Sequence, residues 1–512
     1  MQINCVSTKD IKAEGLFFGF FKEDKIEKDG LFMDLPSDIK KLILQFSKDE
    51  FKKEEGEIKS LWLSSKNPSK VVLFGLGDKA KWNERKIHLI PRLFIQYAKN
   101  NKIESFTTCL DKDFGSSTKE AAKNFTINTL LADFEFNKYK EEPKGGWSKI
   151  KNVNLVSKQS ISEIQAGIKE GIIIGEETNL CRNLSNTPGG DMTPARLAEA
   201  AAKAAKTNGF HIKTLRQKEM RKLGMGGILG VAKGSLEKPY FIVIEYKGIP
   251  KKDRILRRDS LRELRKPLVL VGKGVTFDTG GLNLKSEQGI YEMHMDMSGG
   301  SAVIHGIAAI ARLKLPINAI GLIPAVENMP SGSSYHPGDI LKTMSGKTIE
   351  VINTDAEGRI ILADALYYGA KKYNPGLMVD FATLTGAALV ALGNYCSAIF
   401  TNQNKIQDKL IDIGDKCGDY VWPLPLWDEY LLDIKGTLGD VANLGKTGRA
   451  GGAIHGAKFL EQFIDNAPWA HIDIAPRMTT AEGEFLAKGA AGTGVRYIVE
   501  LAKEYPQIIK KL

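Results

Sequence analysis

The sequence predicts an α/β fold in two units, the C-terminal one built around a mostly parallel central sheet. Three observations lead there. Across residues 191–512, short apolar runs alternate with segments of helical spacing, the pattern of strands joined by crossover helices. A chain of 512 residues is too long for one compact core. Residues 1–155 are lysine-rich and carry mixed signals, which marks them as a unit of their own.

In the first unit, Val71-Val72-Leu73-Phe74-Gly75-Leu76-Gly77 ends in glycines and reads as a strand turning into a helix. Residues 87–97 hold Leu89, Ile90, Leu93 and Phe94 at helical spacing. The stretch 137–147, with lysines, acids, a proline and two glycines, reads as loop. A linker over 156–190 contains a long helix at 161–184, closed by Asn186-Thr187-Pro188-Gly189-Gly190. In the second unit, strands are expected at 240–246, 268–271, 319–323, 349–352, 377–381 and 398–401. Helices are expected at 194–207, 300–313, 360–371 and 452–464. There is no internal repeat and no low-complexity tract.

Composition narrows the function classes. Hydrophobic residues make up 43% and charged residues 26%, as in soluble globular proteins. The five cysteines are scattered without a C-x-x-C pair, which argues against a disulfide framework or a cysteine zinc site and fits a reducing cytoplasm. The apolar run 15–21 is short and ends in Lys22-Glu23-Asp24, so no secretory leader is expected. The run 377–400 is broken by Asp380, Asn394 and several threonines and glycines, and reads as core instead of a membrane span. The net charge of +11 permits a nucleic-acid partner without requiring one. Its densest part is the stretch 251–266, with Lys251, Lys252, Arg254, Arg257, Arg258, Arg262, Arg265 and Lys266. A solvated loop or helix is the preferred reading of that stretch, and a partner patch the alternative.

The chemistry concentrates in two segments. Asn353-Thr354-Asp355-Ala356-Glu357-Gly358-Arg359 follows the apolar run 349–352. Two acids one residue apart reach a common point only on an extended or turning backbone, which suits a loop leaving the carboxyl end of a strand. Upstream, Lys273-Gly274-Val275-Thr276-Phe277-Asp278-Thr279-Gly280-Gly281-Leu282-Asn283-Leu284-Lys285 follows the run 268–271, and Asp296 comes shortly after. Asp278, Asp296, Asp355 and Glu357 converging without a cation would repel one another. Two divalent cations would balance them, and hard oxygen donors favour Mn²⁺, Mg²⁺ or Zn²⁺. On spacing alone, a role for these acids as caps or salt bridges stays open. The seven histidines form no H-E-x-x-H, and the glycine-rich stretch matches neither phosphate-binding pattern. Lys273 beside two dications could coordinate as a neutral amine, Lys285 could stabilise an oxyanion, and Arg359 offers a planar fork for a small anion.

These two segments resemble the leucyl (cytosol) aminopeptidase family. So do Glu327-Asn328-Met329-Pro330-Ser331-Gly332, Met344-Ser345-Gly346-Lys347-Thr348 and Trp469-Ala470-His471-Ile472-Asp473-Ile474-Ala475. The resemblance covers the C-terminal two-thirds; the N-terminal third shares little beyond Phe74-Gly75-Leu76-Gly77. It implies a macrodomain-like N-terminal α/β unit, a catalytic α/β domain and a homohexamer. It implies that Lys273, Asp278, Asp296, Asp355 and Glu357 hold two metal ions, Mn²⁺ or Zn²⁺ with Mg²⁺ as a third choice. Lys285 would polarise the scissile carbonyl, and Arg359 would hold a bicarbonate-like anion acting as general base. The apolar pocket for the first residue would map to Met293, Thr383, Ala475 and Met478.

Four features depart from the family pattern, one being the basic stretch 251–266, which is longer than the family's connection between its strands. His294 stands where lysine is usual, Ser298-Gly299-Gly300-Ser301 replaces an alanine-rich stretch, and Pro476 stands where glycine is usual. None removes a metal or catalytic residue. The reading is therefore a cytoplasmic dinuclear metallo-aminopeptidase of broad, Leu-like preference acting on peptides. The rivals are another dinuclear hydrolase, such as a phosphoesterase, and a nucleic-acid-binding basic oligomer.

Overall fold

A computed structural model describes residues 1–7, 12–65, 67–110, 116–156, 160–249, 265–448 and 450–512. The basic stretch 251–266 thus lies outside the described residues, save Arg265 and Lys266. The chain divides into two compact units, Met1–Glu176 with Glu482–Ala487, and Glu177–Ala481 with Lys488–Leu512. The 25-residue helix Ile161–Ser185 carries the boundary between them. Among the described residues no helix is long and apolar enough to cross a membrane.

The first unit is a six-stranded sheet of β1 (Gln2–Cys5), β2 (Gly15–Phe21), β3 (Ile58–Trp62), β4 (Lys70–Gly77), β5 (Ser105–Cys109) and β6 (Asn152–Val156). The strand order is β1-β6-β5-β2-β4-β3, and only the edge strand β3 runs antiparallel to its neighbour. Side chains of β2 alternate between two cores. Phe17 and Phe21 join Phe74, Phe94 and Phe125 on one face, while Leu16, Phe18 and Phe20 join Leu31, Ile43 and Leu73 on the other. A strand buried on both faces reads as an unbroken apolar run, so β2 gives no alternation by which to find it.

The second unit holds a nine-stranded sheet. Its strands are β7 (His211–Leu215), β8 (Tyr240–Lys247), β9 (Leu268–Gly272), β10 (Gly274–Asp278), β11 (Asn318–Asn328), β14 (Leu377–Ala382), β15 (Ser397–Thr401), β16 (Val421–Pro423) and β18 (Trp469–Asp473). The order is β16-β15-β18-β14-β9-β11-β8-β7, with β10 laid along the far end of β11. β18, β14, β9, β11 and β10 pair in parallel; β15 on one side and β8 and β7 on the other are antiparallel. Helix Ser298–Arg312, rich in alanine and isoleucine, is buried over all but its last residue and covers one face. Helix Glu357–Tyr373 covers the other and ends where Asn374 turns left-handed, its N–H capping the Ala370 carbonyl.

One expected strand sits elsewhere. The run read at 349–352 becomes β13 (Thr348–Glu350), which belongs to a separate three-stranded sheet with β12 (Ile340–Lys342) and β17 (Val441–Ala442). A short apolar run looks the same whichever sheet it joins, and here the partners are its own hairpin strand and a short strand far downstream. The segment that follows β9 is partly strand as well, because β10 starts directly after Lys273.

Asp364 ties the helix Glu357–Tyr373 to its surroundings. Fully buried, it accepts hydrogen bonds from the backbone N–H of Ile228 (3.0 Å) and Met344 (2.7 Å). Burial pushes its carboxyl up to about 7, against the pull of those N–H groups. Asp364→Ala strands these donors, so a stability loss of about 3 kcal/mol is expected in denaturant unfolding. An unchanged midpoint would show that the donors find other partners.

Candidate metal centre

The carboxyl ends of the parallel strands bring the acids together, where open α/β sheets place their ligands. Lys273 stands between β9 and β10, held by its N–H to the Phe381 carbonyl (3.0 Å) and by Gly300 N–H to its own carbonyl (2.7 Å). Asp278 closes β10, and Asp296 follows the turn Met293–Met295. Asp355 lies in the turn before the helix that Glu357 opens.

Lys273 Nζ lies 2.8 Å from Asp296 Oδ1 and Oδ2, 2.8 Å from Glu357 Oε1 and 3.0 Å from the Thr383 carbonyl. Lys285 Nζ lies 2.9 Å from Asp278 Oδ2 and touches Asp355 Oδ1. One oxygen each from Asp278, Asp355 and Glu357 falls within 4.8 Å of the others. All five residues assigned to metal, and Lys285, are therefore in one cluster. A Cβ at Gly358 would stand 2.5 Å from Lys273 Cε, so a side chain there would push that ammonium out of place. Gly280, at φ +86°, lets the backbone turn where a side chain would meet the Asn283 carbonyl at 2.4 Å.

Two ammonium groups against four carboxylates leave the cluster short of positive charge. Burial raises Asp278, and Glu357 adds to it while Lys285 and Lys273 oppose. Burial lifts Asp296 well above its ordinary value despite Lys273, and Asp355 despite Lys285. For Lys273, burial alone would lower the pKa; Asp296, Glu357 and Asp278 outweigh it and hold the ammonium above the usual lysine value. Lys273 is thus charged among these protein groups, and its use as a neutral ligand requires a dication to displace the proton. Asp296 Oδ2 and Glu357 Oε1 are buried without a hydrogen bond, because Lys273 Nζ approaches both outside hydrogen-bonding geometry. Unsatisfied, oxygen-rich and charge-deficient, the cluster fits hard divalent cations.

Arg359 is buried in the first turn of the helix Glu357–Tyr373, the end where the helix dipole disfavours a cation. Burial pulls its guanidinium down to about 10, with Glu357 and Asp473 pulling back. Its Nε and Nη1 have no hydrogen-bond partner. Such a fork is shaped for a planar anion.

The four pocket residues are placed less uniformly. Thr383 donates to Asp296 Oδ1 (2.6 Å) and is part of the cluster. Met293 opens the turn that precedes Asp296, half-buried. Ala475 and Met478 lie in and just after the turn Ala475–Arg477, both half-buried. Ala475 N–H donates to Asp473 Oδ1 (3.1 Å). Asp473 also takes the Leu384 N–H (3.0 Å) and the Thr385 hydroxyl (2.7 Å), fixing the loop whose Thr383 carbonyl meets Lys273.

The sequence reading assigned no role to Asp473, Asn328 or Thr354. Asn328 Nδ2 donates to Asp278 Oδ1 and the Thr354 carbonyl (2.8 and 2.9 Å), and Thr354 Oγ1 donates to the Gly280 carbonyl (2.6 Å). These bonds lock the two motif segments to each other. The available signal was a polar residue at the end of an apolar strand, which must find a partner when buried.

Residues 179–499 match the cytosol aminopeptidase family, catalytic domain, and residues 18–143 match that family's N-terminal domain. A "Probable cytosol aminopeptidase" of Chlorobaculum tepidum is 41% identical over 473 residues, covering 89% of this chain and 90% of its own. A mutant of tomato leucine aminopeptidase superposes with a TM-score of 0.84 at 29% identity, over 98% of this chain and 96% of that one. The bottromycin maturation enzyme BotP in complex with Mn superposes at 0.82 and 26% identity, over 96% of this chain and all of that one. Two family domains in sequence, a relative aligned over most of both chains and an acid-lysine cluster at the strand ends agree: the chain belongs to the cytosol aminopeptidase family and is a metallo-exopeptidase.

Proposed function

We propose that the chain is a dinuclear metal-dependent aminopeptidase of broad, Leu-like preference, working on peptides in the cytoplasm. The observation that carries this reading is the cluster of four carboxylates and two lysines, in which Asp278, Asp296, Glu357 and Lys273 are buried and two carboxylate oxygens are left unbonded. Lys273, Asp278, Asp296, Asp355 and Glu357 would hold two divalent ions, Mn²⁺ or Zn²⁺ by their donor chemistry, with Mg²⁺ third. Ions held there supply Lewis acidity and make water more acidic. A bicarbonate-like anion on Arg359 would supply a general base.

The chain's own groups then do the following. Lys285 is about one-sixth exposed and kept charged by Asp278, Glu357 and Asp355 against the pull of burial, so it can donate a hydrogen bond to the carbonyl oxygen of the bond to be cut. Arg359 holds its fork in a fixed, dry position. Thr383 and Asp473 keep Lys273 and Asp296 in register. Met293, Thr383, Ala475 and Met478 would face the first side chain, and the two methionines would adapt to several apolar shapes.

The test is a Mn²⁺ and Zn²⁺ titration followed by a panel of aminoacyl and phosphate-ester chromogenic substrates. Two ions per chain and preferential release from Leu-like aminoacyl substrates are expected. Phosphate-ester turnover without aminoacyl turnover would move the site to the rival hydrolase class. The family likeness also supports a homohexamer, and light scattering at micromolar concentration should give six times the chain mass; a fully active monomer would overturn that.

A further inference from the structure

Asn443 follows β17 directly, in a stretch without any metal-ligand motif. Its side chain is fully buried, yet every polar position on it is used. Oδ1 accepts from the N–H of Ile352 (2.7 Å) and of Asn353 (3.2 Å). Nδ2 donates to the carbonyls of Asn353 (2.6 Å) and Ala356 (3.4 Å). Its own N–H donates to the Glu350 carbonyl (3.0 Å), which seats the residue against the end of β13.

Those partners bracket Asp355. The segment between β13 and the helix Glu357–Tyr373 has no regular structure to fix its path. Asp355 and Glu357 take their separation from this turn. One planar amide presents an acceptor to two N–H groups and a donor to two carbonyls, on both sides of Asp355. Asparagine meets that demand at this length: aspartate has no donor, and an apolar residue would remove all four hydrogen bonds from the turn.

We propose that Asn443 is a positioning residue for the metal site, setting the turn that presents Asp355 and Glu357. The proposal rests on the reading of those two acids as ligands. Groups that orient ligands from outside commonly govern metal affinity by about 10- to 100-fold.

The experiment compares Asn443→Asp and Asn443→Ala with Glu350→Gln. Glu350 lies in the same small sheet, but its carboxylate accepts from Thr437, Leu438 and Gly439 N–H and makes no bond to the turn. Manganese binding is measured by calorimetric titration and by the electron paramagnetic resonance signal of the bound ions, with kcat taken at saturating metal. Each Asn443 variant that folds should bind Mn²⁺ about 10- to 100-fold more weakly, with an altered resonance spectrum and a lower kcat. Glu350→Gln should melt earlier while keeping wild-type affinity.

An Asn443→Asp protein with the wild-type dissociation constant would overturn the proposal. So would an equal loss of affinity in Glu350→Gln, which would assign the effect to the small sheet as a whole. Failure of both Asn443 variants to fold would also overturn it, by making the residue a folding determinant. If wild-type protein binds no Mn²⁺ or Zn²⁺ at all, the ligand reading fails first, and that result is distinct from the other three.

Discussion

Glu357→Ala should leave a folded protein that has lost turnover and most of its bound metal. Glu357 is 1% exposed and its carboxylate meets Lys273 at 2.8 Å, so the deletion removes a metal-donor oxygen and leaves Lys273 with Asp296 and the Thr383 carbonyl. The helix it opens keeps its buried face from Ile360 onward, which is why the fold should survive. A drop of at least ~10²-fold in turnover is expected, because outer partners of a metal site are already worth 10- to 100-fold. Elemental analysis after dialysis and a circular dichroism spectrum check the two halves. Two retained ions with full activity would remove the proposed site.

Lys285→Ala should behave differently. Its ammonium is held between Asp278 and Asp355 and is the more exposed of the two lysines. As a donor to a developing oxyanion, its loss should lower kcat by about 10²–10³ while metal content stays near that of the wild type. KM should change less than kcat, since the interaction strengthens as charge builds on the oxygen. If metal is lost in proportion to activity, Lys285 belongs with the ligands and not with the reacting carbonyl.

Much of the cluster was legible because its residues sit where strand patterns stop. Asp278 closes an apolar strand just before Gly280-Gly281, and Asp355 and Glu357 follow the run 349–352, ends that periodicity marks well; Asp296 follows a turn instead. The alternation that predicted a parallel sheet also survives, since β9, β11 and β14 are mainly apolar runs with helices between them. The edges were less visible: β7 mixes polar with apolar residues, β16 is short, and β10 follows β9 with only Lys273 between. The small sheet was invisible for another reason. Its three strands are short, and β17 lies far along the chain from the hairpin it completes. Asn443 acts through hydrogen bonds to backbone groups, and Asn328 and Asp473 through bonds to backbone and side-chain groups, that come near only after folding; a single sequence can mark a polar residue at a strand end but not the partner it meets.

Lys273 and Lys285 each lie among the acids they serve, and this bears on how such a site is assembled. Four carboxylates brought to one point would oppose the collapse that buries them. Two internal counter-ions relieve that repulsion from within the polypeptide. The catalytic unit is therefore expected to fold without a divalent ion as a nucleus, unlike small zinc domains that stay unfolded until loaded. Metal loading would then be a separate, later step, set by the ions available. One polypeptide could then be charged differently as that supply changes.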